Sequence, residues 1–420
     1  MSIRHLLIAL LSGVCSVSSL SLCAGEEVAK RTVVTTDQPR ESARLSAILP
    51  DGVFRFSTED NPARDISKDR LIRWGAAVDS QQGPQILLVD GSLLVADPIG
   101  DPPAIVGEAL RVELNLFDAG GPTERQVNLP LDGVRGVLFR LPSELHKRDR
   151  LLDELVDPER RTDVVVLENG DQLKGAITAL DESNVKLMID AAETEIDIDR
   201  VTALAFSSAL ARRDDEKQER IIVSTADGSR FFAQRLDPGP SASAAYGTIE
   251  LAGVAAIPVT ISKIVGLQPL GKQIDYLSDL KPHSYKHLPL LDVEWPYYED
   301  RSALGNRLRS DGKIYHKGLG MHSTARLTYK LAKPYQRLEA DLAIDGATTA
   351  GGSVTYRVLL DDGSGKWKSA FTSRIIRGGD LPRPMSIDIS KAKRISLVVD
   401  FAERGDVQDH ANWLDARLVP

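Results

Sequence analysis

One pattern recurs three times in the first two thirds of this chain and restricts its fold more than any other feature. Two short apolar strands flank a turn pair, further strands follow, and a closing apolar turn ends the unit. The clearest copy is Asp163-Val-Val-Val-Leu-Glu-Asn169-Gly170-Asp-Gln-Leu-Lys-Gly175-Ala-Ile177. Asn-Gly is a strong hairpin signal because both residues tolerate positive φ. Strands at Val185 to Ile189 and near Ile196 come next, and Val201-Thr-Ala-Leu204-Ala-Phe206 closes the copy. A later copy has Ile221-Ile222-Val223, Asp227-Gly228, Phe231-Phe232 and the ending Ile264-Val-Gly-Leu267. An earlier one has Ile86 to Val89, Asp90-Gly91 and the ending Val134-Arg-Gly-Val137-Leu-Phe139, with the spacing of Val201, Leu204 and Phe206 repeated. Such a repeat predicts small, strongly bent barrels in a mainly β chain.

Residues around Asp51-Gly52 and from Ile66 to Trp74 read as a degenerate start of the same system. The boundaries predicted are a linker over 25–42, a first β unit over 43–141, a second over 161–210 and a third over 218–271. Between the first two, Leu145, Leu152 and Leu155 share a helical face, which predicts a short connecting helix within 142–160 with Ser143 as its N-cap. The charge-dense run Arg212 to Arg220 reads as a solvated connector. These units resemble Sm-like small β-barrel repeats of envelope proteins. The resemblance implies a spacer or a surface for a protein partner, since fold alone assigns no function.

The N-terminus sets the compartment expected. Arg4 and His5 precede the apolar run Leu6 to Leu11, and a Ser-rich stretch runs to Ala24, which is the order of a secretory signal over 1–24. That run is too short to span a bilayer, so no transmembrane segment is expected after its removal. Cys15 and Cys23, the only cysteines, lie inside it. The mature chain is then free of thiol chemistry, cysteine-bound zinc and disulfides, in a secreted, periplasmic or envelope setting. The net charge is -8, so there is no overall basic field to release counterions from nucleic acid. Neutral sugars are the partners this surface disfavours least.

From Ile274 the aromatics become denser, with Tyr276, Tyr285, Trp295, Tyr297 and Tyr298, and histidines gather. Alternating or continuous apolar strands at Leu327 to Tyr329, Leu338 to Ala343, Val354 to Leu360, Met385 to Ile389 and Ile395 to Phe401 are separated by Asp/Gly/Pro turns. That spacing, with no long helix, predicts a two-sheet sandwich over 274–420. Blocks in order are Tyr276-Leu-Ser-Asp-Leu280, Tyr315-His-Lys-Gly-Leu-Gly-Met-His322, Ala343-Ile-Asp345-Gly346, Gly352 to Val358 with Asp362-Gly363, Leu397-Val-Val-Asp400, and Asp409 to Arg417. They resemble the NPCBM family, a carbohydrate-binding module first associated with glycoside hydrolase family 98. The resemblance implies a galactose-binding-like β-sandwich that recognises a glycan.

Within this module an exposed tryptophan stacking on a pyranose, with planar polar groups taking its hydroxyls, would form a sugar pocket. The candidates are Trp295, Trp367 and Trp413 with His322, Asp409 and His410, although Trp413 also reads as a core aromatic and Asp409 as a backbone cap. His316, His322, His410 and Asp409 carry metal-ligand chemistry, but the two first histidines are six residues apart with no helix to unite them. Asp345, Asp361 and Asp362 are available for a structural calcium, the one cofactor considered. Catalysis is not expected. GxSxG, HExxH, P-loop and GxGxxG patterns are missing, and a barrel of roughly 250 residues has no room beside the module. The expectation is a secreted carbohydrate-binding or envelope accessory protein; the alternative is a structural or protein-interaction protein that binds no sugar.

Overall fold

The computed structural model describes residues 29–420 except 59–61, 81, 118–124, 210, 213–218, 241–244, 272–273, 291–292 and 349–350. The expected signal segment and its cysteines, and most of the Arg212 to Arg220 run, lie outside the described residues.

Among the described residues the upstream part holds four barrel units: the three clear copies and a full one where the sequence showed only a degenerate start around Asp51-Gly52 and Ile66 to Trp74. In the clearest, strands Asp163–Leu167, Gln172–Leu180, Asn184–Ile189 and Ala192–Asp197 form a meander, and Val201–Ala205 returns after a single 3-10 turn to pair with the first strand. The unit around Ile221 and that around Ile86 repeat this path, with the second strand broken in two and its far half building a separate three-stranded sheet. Their turn pairs behave alike. Gly170, Gly91 and Gly228 all have positive φ, and Asn169, Asp90 and Asp227 each accept the backbone N–H two residues on, as Asx turns do.

The fourth copy corrects two boundaries. Strand Arg31–Thr35 lies inside the supposed linker 25–42, and Glu41–Leu49 begins there. With Val53–Ser57, Arg64–Ser67 and the closing Leu71–Gly75 they complete a barrel of their own. The stretch 43–141 is therefore not one unit: it holds most of this barrel and all of the next. The start of this copy is degenerate because its first connection, Thr36-Asp-Gln-Pro-Arg40, has neither glycine nor the short three-residue loop of the other turns.

The four barrels are stitched into one continuous path of 16 strands. Closing strands pair with closing strands: Val137 faces Leu204, and Leu267 faces Trp74. The second strands of the middle pair meet at Leu93 and Arg230. Numbering strands within units, the order is 4-3-2-1-5, 5-1-2, 2-1-5, 5-1-2-3-4, a pseudo-two-fold arrangement. One apolar core runs from Val33 to Leu267, centred on Trp74, Phe54, Phe56 and Phe231. The closing strands approach so closely that a Cβ at Gly136 would stand 2.4 Å from the Leu204 carbonyl oxygen. The other copies carry Ala203 and Gly266 at that position, whereas the first carries Arg73.

The last third forms its own two-layer sandwich, as expected. One sheet orders Tyr298–Glu299, Gly318–His322, His410–Val419, Arg337–Ile344 and Arg383–Asp388. The other orders Ser284–His287, Ala325–Lys330, Arg394–Phe401, Ser353–Asp361 and Lys368–Thr372. Trp413, Tyr356, Tyr329, Met321 and Leu397 fill the space between them. All five predicted strands are present. The glycines of Gly318-Leu-Gly320-Met-His322 have a steric cause: a Cβ at Gly320 would fall 2.2 Å from the Ser302 carbonyl carbon, because the backbone of Arg301 to Ala303 crosses directly over it.

The sandwich is nonetheless joined to the barrels. Strand Ala77–Val78 pairs with Lys313–Tyr315, and Val34, Ile72, Ile274, Tyr276 and Val419 form a shared apolar cluster. The helix Leu145–Leu155 appears where its leucine spacing places it, with Leu152 and Leu155 buried. Its N-cap is Glu144, not Ser143, and no side chain caps it. The helix also buries Arg148 and Asp149. Arg309 of the sandwich reaches Asp149 at 2.5 Å and Asp79 at 2.7 Å. Arg73 lies 2.8 Å from Asp415 and 3.3 Å from Asp341. Both aspartates are buried, and removing one member of a buried ion pair strands the other's charge. Arg73→Met is expected to destabilise the chain by about 3–5 kcal/mol, read as a drop in the urea midpoint, whereas Arg55→Met at the exposed Asp65 pair leaves the midpoint within error.

Candidate functional site in the sandwich

A group of rings gathers where strands Ser284–His287, Gly318–His322 and His410–Val419 end together. Trp295, on the connection after the first of these, lays its indole parallel to the His322 imidazole, with centroids 4.4 Å apart and planes 7° from each other. His410 tilts towards both, 5.8 Å from Trp295 and 5.6 Å from His322. His287 meets His322 edge-on at 6.0 Å. Trp295 and His410 are half-buried, while His287 and His322 are buried beneath them. The indole is thus a partly exposed plate resting on an imidazole floor.

Hydrogen bonds fix that floor. The Trp295 backbone N–H donates to His287 Nδ1 at 3.3 Å, which leaves the proton on Nε2 to be donated to the Ser323 carbonyl oxygen at 3.1 Å. The same carbonyl accepts from His322 Nδ1 at 2.8 Å, so a neutral His322 keeps Nε2 as an acceptor. His410 Nδ1 and the Thr348 hydroxyl are 2.9 Å apart. Asp409 is fully buried and works from below, accepting from the Ser323 hydroxyl at 2.6 Å and the Ser353 backbone N–H at 2.7 Å.

Burial also sets the charge state. It pushes His410 down to about 4, helped by the neighbouring His322, and lowers His322 as well. It pushes Asp409 up to about 6, against the hydrogen bonds from Ser323 and Ser353. Near neutral pH both imidazoles are therefore neutral, and the site presents hydrogen-bonding nitrogen and aromatic surface rather than positive charge. That is the surface a neutral polyol requires.

The six sugar-site candidates divide. Trp295, His322 and His410 come together, and Asp409 supports them. Trp413 does not join them: it has no exposed surface and packs edge-on against Tyr356 at 5.0 Å in the core. Trp367 lies on the outer face of the other sheet, with the Arg326 and Arg394 guanidinium groups 4.5 and 5.1 Å from its ring centre. His316 is not near His322 but faces Phe232 of a barrel at 6.0 Å. Sequence reasoning missed His287, Ser323 and Thr348. His287 ends a strand of alternating polar and aromatic residues, and that was its only signal.

The calcium candidates are not brought together either. Asp345 accepts from the Ala347 N–H and the Asn412 amide, beside His410. Asp361 ends strand Ser353–Asp361, and the other end of that strand, at Ser353, is the one near Asp409. Eight residues of strand separate the ends by roughly 26 Å. Asp361 is already engaged by the Gly363 and Gly365 N–H groups and by Arg394, and Asp362 is exposed. Among the described residues no group of three or more His, Cys, Asp or Glu side chains is arranged to hold a metal ion.

The two buried titrations oppose each other. His410, ordinarily near 6.5, is depressed to about 4 in the fold, so its contribution to stability is present above 6.5 and lost as pH falls towards 4. Asp409, ordinarily near 3.8, is raised to about 6, so its contribution is present below 3.8 and lost as pH rises through 6. Asp409→Asn removes the second slope alone. The melting temperature of that variant is expected to climb more steeply between pH 4 and 6 than that of the parent; parallel curves would contradict the assignment.

Comparison with known proteins agrees with the sequence blocks. Over 121 residues the chain is 24% identical to a Renibacterium salmoninarum protein named as an endo-alpha-N-acetylgalactosaminidase, a match spanning 29% of this chain and only 8% of that one. Among solved structures, a CBM51 module from Clostridium perfringens GH95, determined with methyl-galactose, is 23% identical with a TM-score of 0.31, covering 35% of this chain and 99% of that one. The CBM51-2 and INT domains of Clostridium perfringens ZmpB, determined with GlcNAc, are 23% identical with a TM-score of 0.31, covering 41% and 36%. Residues 273–419 match the NPCBM/NEW2 domain family. Over its last third, the chain is similar to the NPCBM/NEW2 domain family.

Proposed function

We propose that this chain is a secreted or envelope-associated, non-catalytic accessory protein whose sandwich binds a neutral glycan at Trp295. The observation that carries the reading is the half-buried indole held flat on His322, with His410 and Thr348 at its side. A flat aromatic plate takes the apolar face of a pyranose, and neighbouring imidazole and hydroxyl groups take its hydroxyls. The domain family supports the same reading, and the sugars bound in the two CBM51 structures, methyl-galactose and GlcNAc, are the first to try. Calcium is not part of the proposal.

The fused barrels act in this reading as a rigid stalk, with a surface for protein contact. Among the described residues no helix is long and apolar enough to cross a membrane. A second reading, in which the same face meets a protein, has its own support: Leu288, Leu290, Val293 and Val407 are all more than half exposed, and they flank the ring cluster in sequence.

Binding of the whole protein to an array of neutral glycans, followed by titration calorimetry, decides between the two. Saturable sugar binding is expected, falling at least tenfold, or about 1.4 kcal/mol, in Trp295→Ala while Trp367→Ala leaves it unchanged. A blank array together with a protein partner lost in Leu290→Ser would establish the second reading instead.

A further inference from the structure

A separate cleft of about 360 Å³ opens along the seam between the first barrel and the sandwich, within the size range of small-ligand pockets. Its walls carry five cationic side chains, Lys30, Arg31, Arg40, Arg73 and Lys313, against the carboxylates of Asp311 and Asp341. Most of these charges are matched. Lys313 pairs with Asp311 at 2.5 Å, Arg40 with Asp341 at 2.6 Å, and Arg73 with Asp415 behind it at 2.8 Å.

Arg31 is different. Its Nε is buried without a hydrogen-bond partner, and burial depresses its guanidinium with no carboxylate to counter the effect. Its position is built in: the side-chain stem crosses the bare backbone of Gly75, where a Cβ would come within 2.9 Å of the Arg31 Cδ. With Nε sealed, an anion in the cleft would be met by the two terminal nitrogens; a partly desolvated guanidinium is costly unless an anion meets it, and that end-on fork suits a carboxylate. On the sandwich side the lip is apolar, formed by the exposed Leu381 and by Pro382. A cleft lined by a guanidinium on the barrel side and an apolar lip on the sandwich side fits a small ring that bears an acid group.

We infer that this seam cleft is a second ligand site, for a carboxylate-bearing sugar such as a hexuronic acid, with Arg31 receiving the carboxylate. None of its residues belongs to the ring cluster at Trp295, so this site stands or falls independently of the neutral-glycan reading.

Calorimetry on the whole protein tests it, with D-glucuronate, methyl glucoside and sodium sulfate titrated at equal ionic strength. Saturable glucuronate binding is expected, weakened by added chloride, unaffected by Trp295→Ala, lowered at least tenfold in Arg31→Gln and several-fold in Arg31→Lys, which keeps the charge but not the fork. The inference is overturned if glucuronate gives no saturable heat, if methyl glucoside binds equally well, or if Arg31→Lys and Arg31→Gln bind as the parent does. Sulfate binding as tightly as glucuronate also overturns it, since the cleft would then be a bare anion hole. Should Arg31→Gln fail to fold, the three parent titrations and Arg31→Lys still decide.

Discussion

The architecture depends on two arginines that carry charge across the boundary between barrels and sandwich. Arg309 leaves the sandwich and grips Asp79 and Asp149 with two adjacent edges of one guanidinium that share Nη2, at 2.5 to 3.0 Å. Burial acts to raise the Asp149 carboxyl, yet the hydrogen bonds from Arg309 and the nearby Arg307 hold it below its ordinary value. Arg73 leaves a barrel and enters the sandwich between Asp341 and Asp415. Buried pairs of this kind add little net stability compared with apolar packing, but a misdocked arrangement would leave several charges stranded. They therefore select one docking geometry, and the β pairing of Ala77–Val78 with Lys313–Tyr315 completes it.

This fusion bears on what the chain can do. A module on a flexible tether searches for its ligand independently of its neighbours, whereas one locked by buried ions moves with the barrels as a single body. The ring cluster sits where three strands of the sandwich end, and the seam lies against the barrels. Neither site is built on a lone side chain. Trp295 is placed by its own backbone N–H on His287, and His287 and His322 share the Ser323 carbonyl, whose residue is tied in turn to Asp409. Such mutual hydrogen bonding leaves each ring little freedom to turn, so ordering it on binding costs little.

Much of the fold was legible in the residues. The Asn-Gly and Asp-Gly turns announced three barrels because positive φ is demanded there and few residues supply it. The fourth showed only in part, around Asp51-Gly52 and Ile66 to Trp74, because its first connection runs through Thr36 to Arg40 and uses no such residue. In the sandwich, period-two alternation located five strands. The glycines of the Gly318 to His322 block were visible as a motif, but their causes, the Trp413 carbonyl against Gly318 and the crossing of Arg301 to Ala303 over Gly320, were not.

The site was less legible, for a physical reason. Residue type gave the chemistry of Trp295, His322, Asp409 and His410, but aromatic rings suit a core and a ligand face equally well. Only packing separates Trp413, sealed between the sheets, from Trp295 at their edge, or reveals that two arginines cover Trp367. By itself the sequence determined the local periods, the turns and a β-rich chain whose last third resembles the NPCBM family, because each of these is carried by runs of neighbouring residues. Tertiary structure alone decided that four barrels share one core, that Arg73 and Arg309 join them to the sandwich, and which rings meet. Those outcomes depend on contacts between residues up to hundreds of positions apart, which no local pattern encodes.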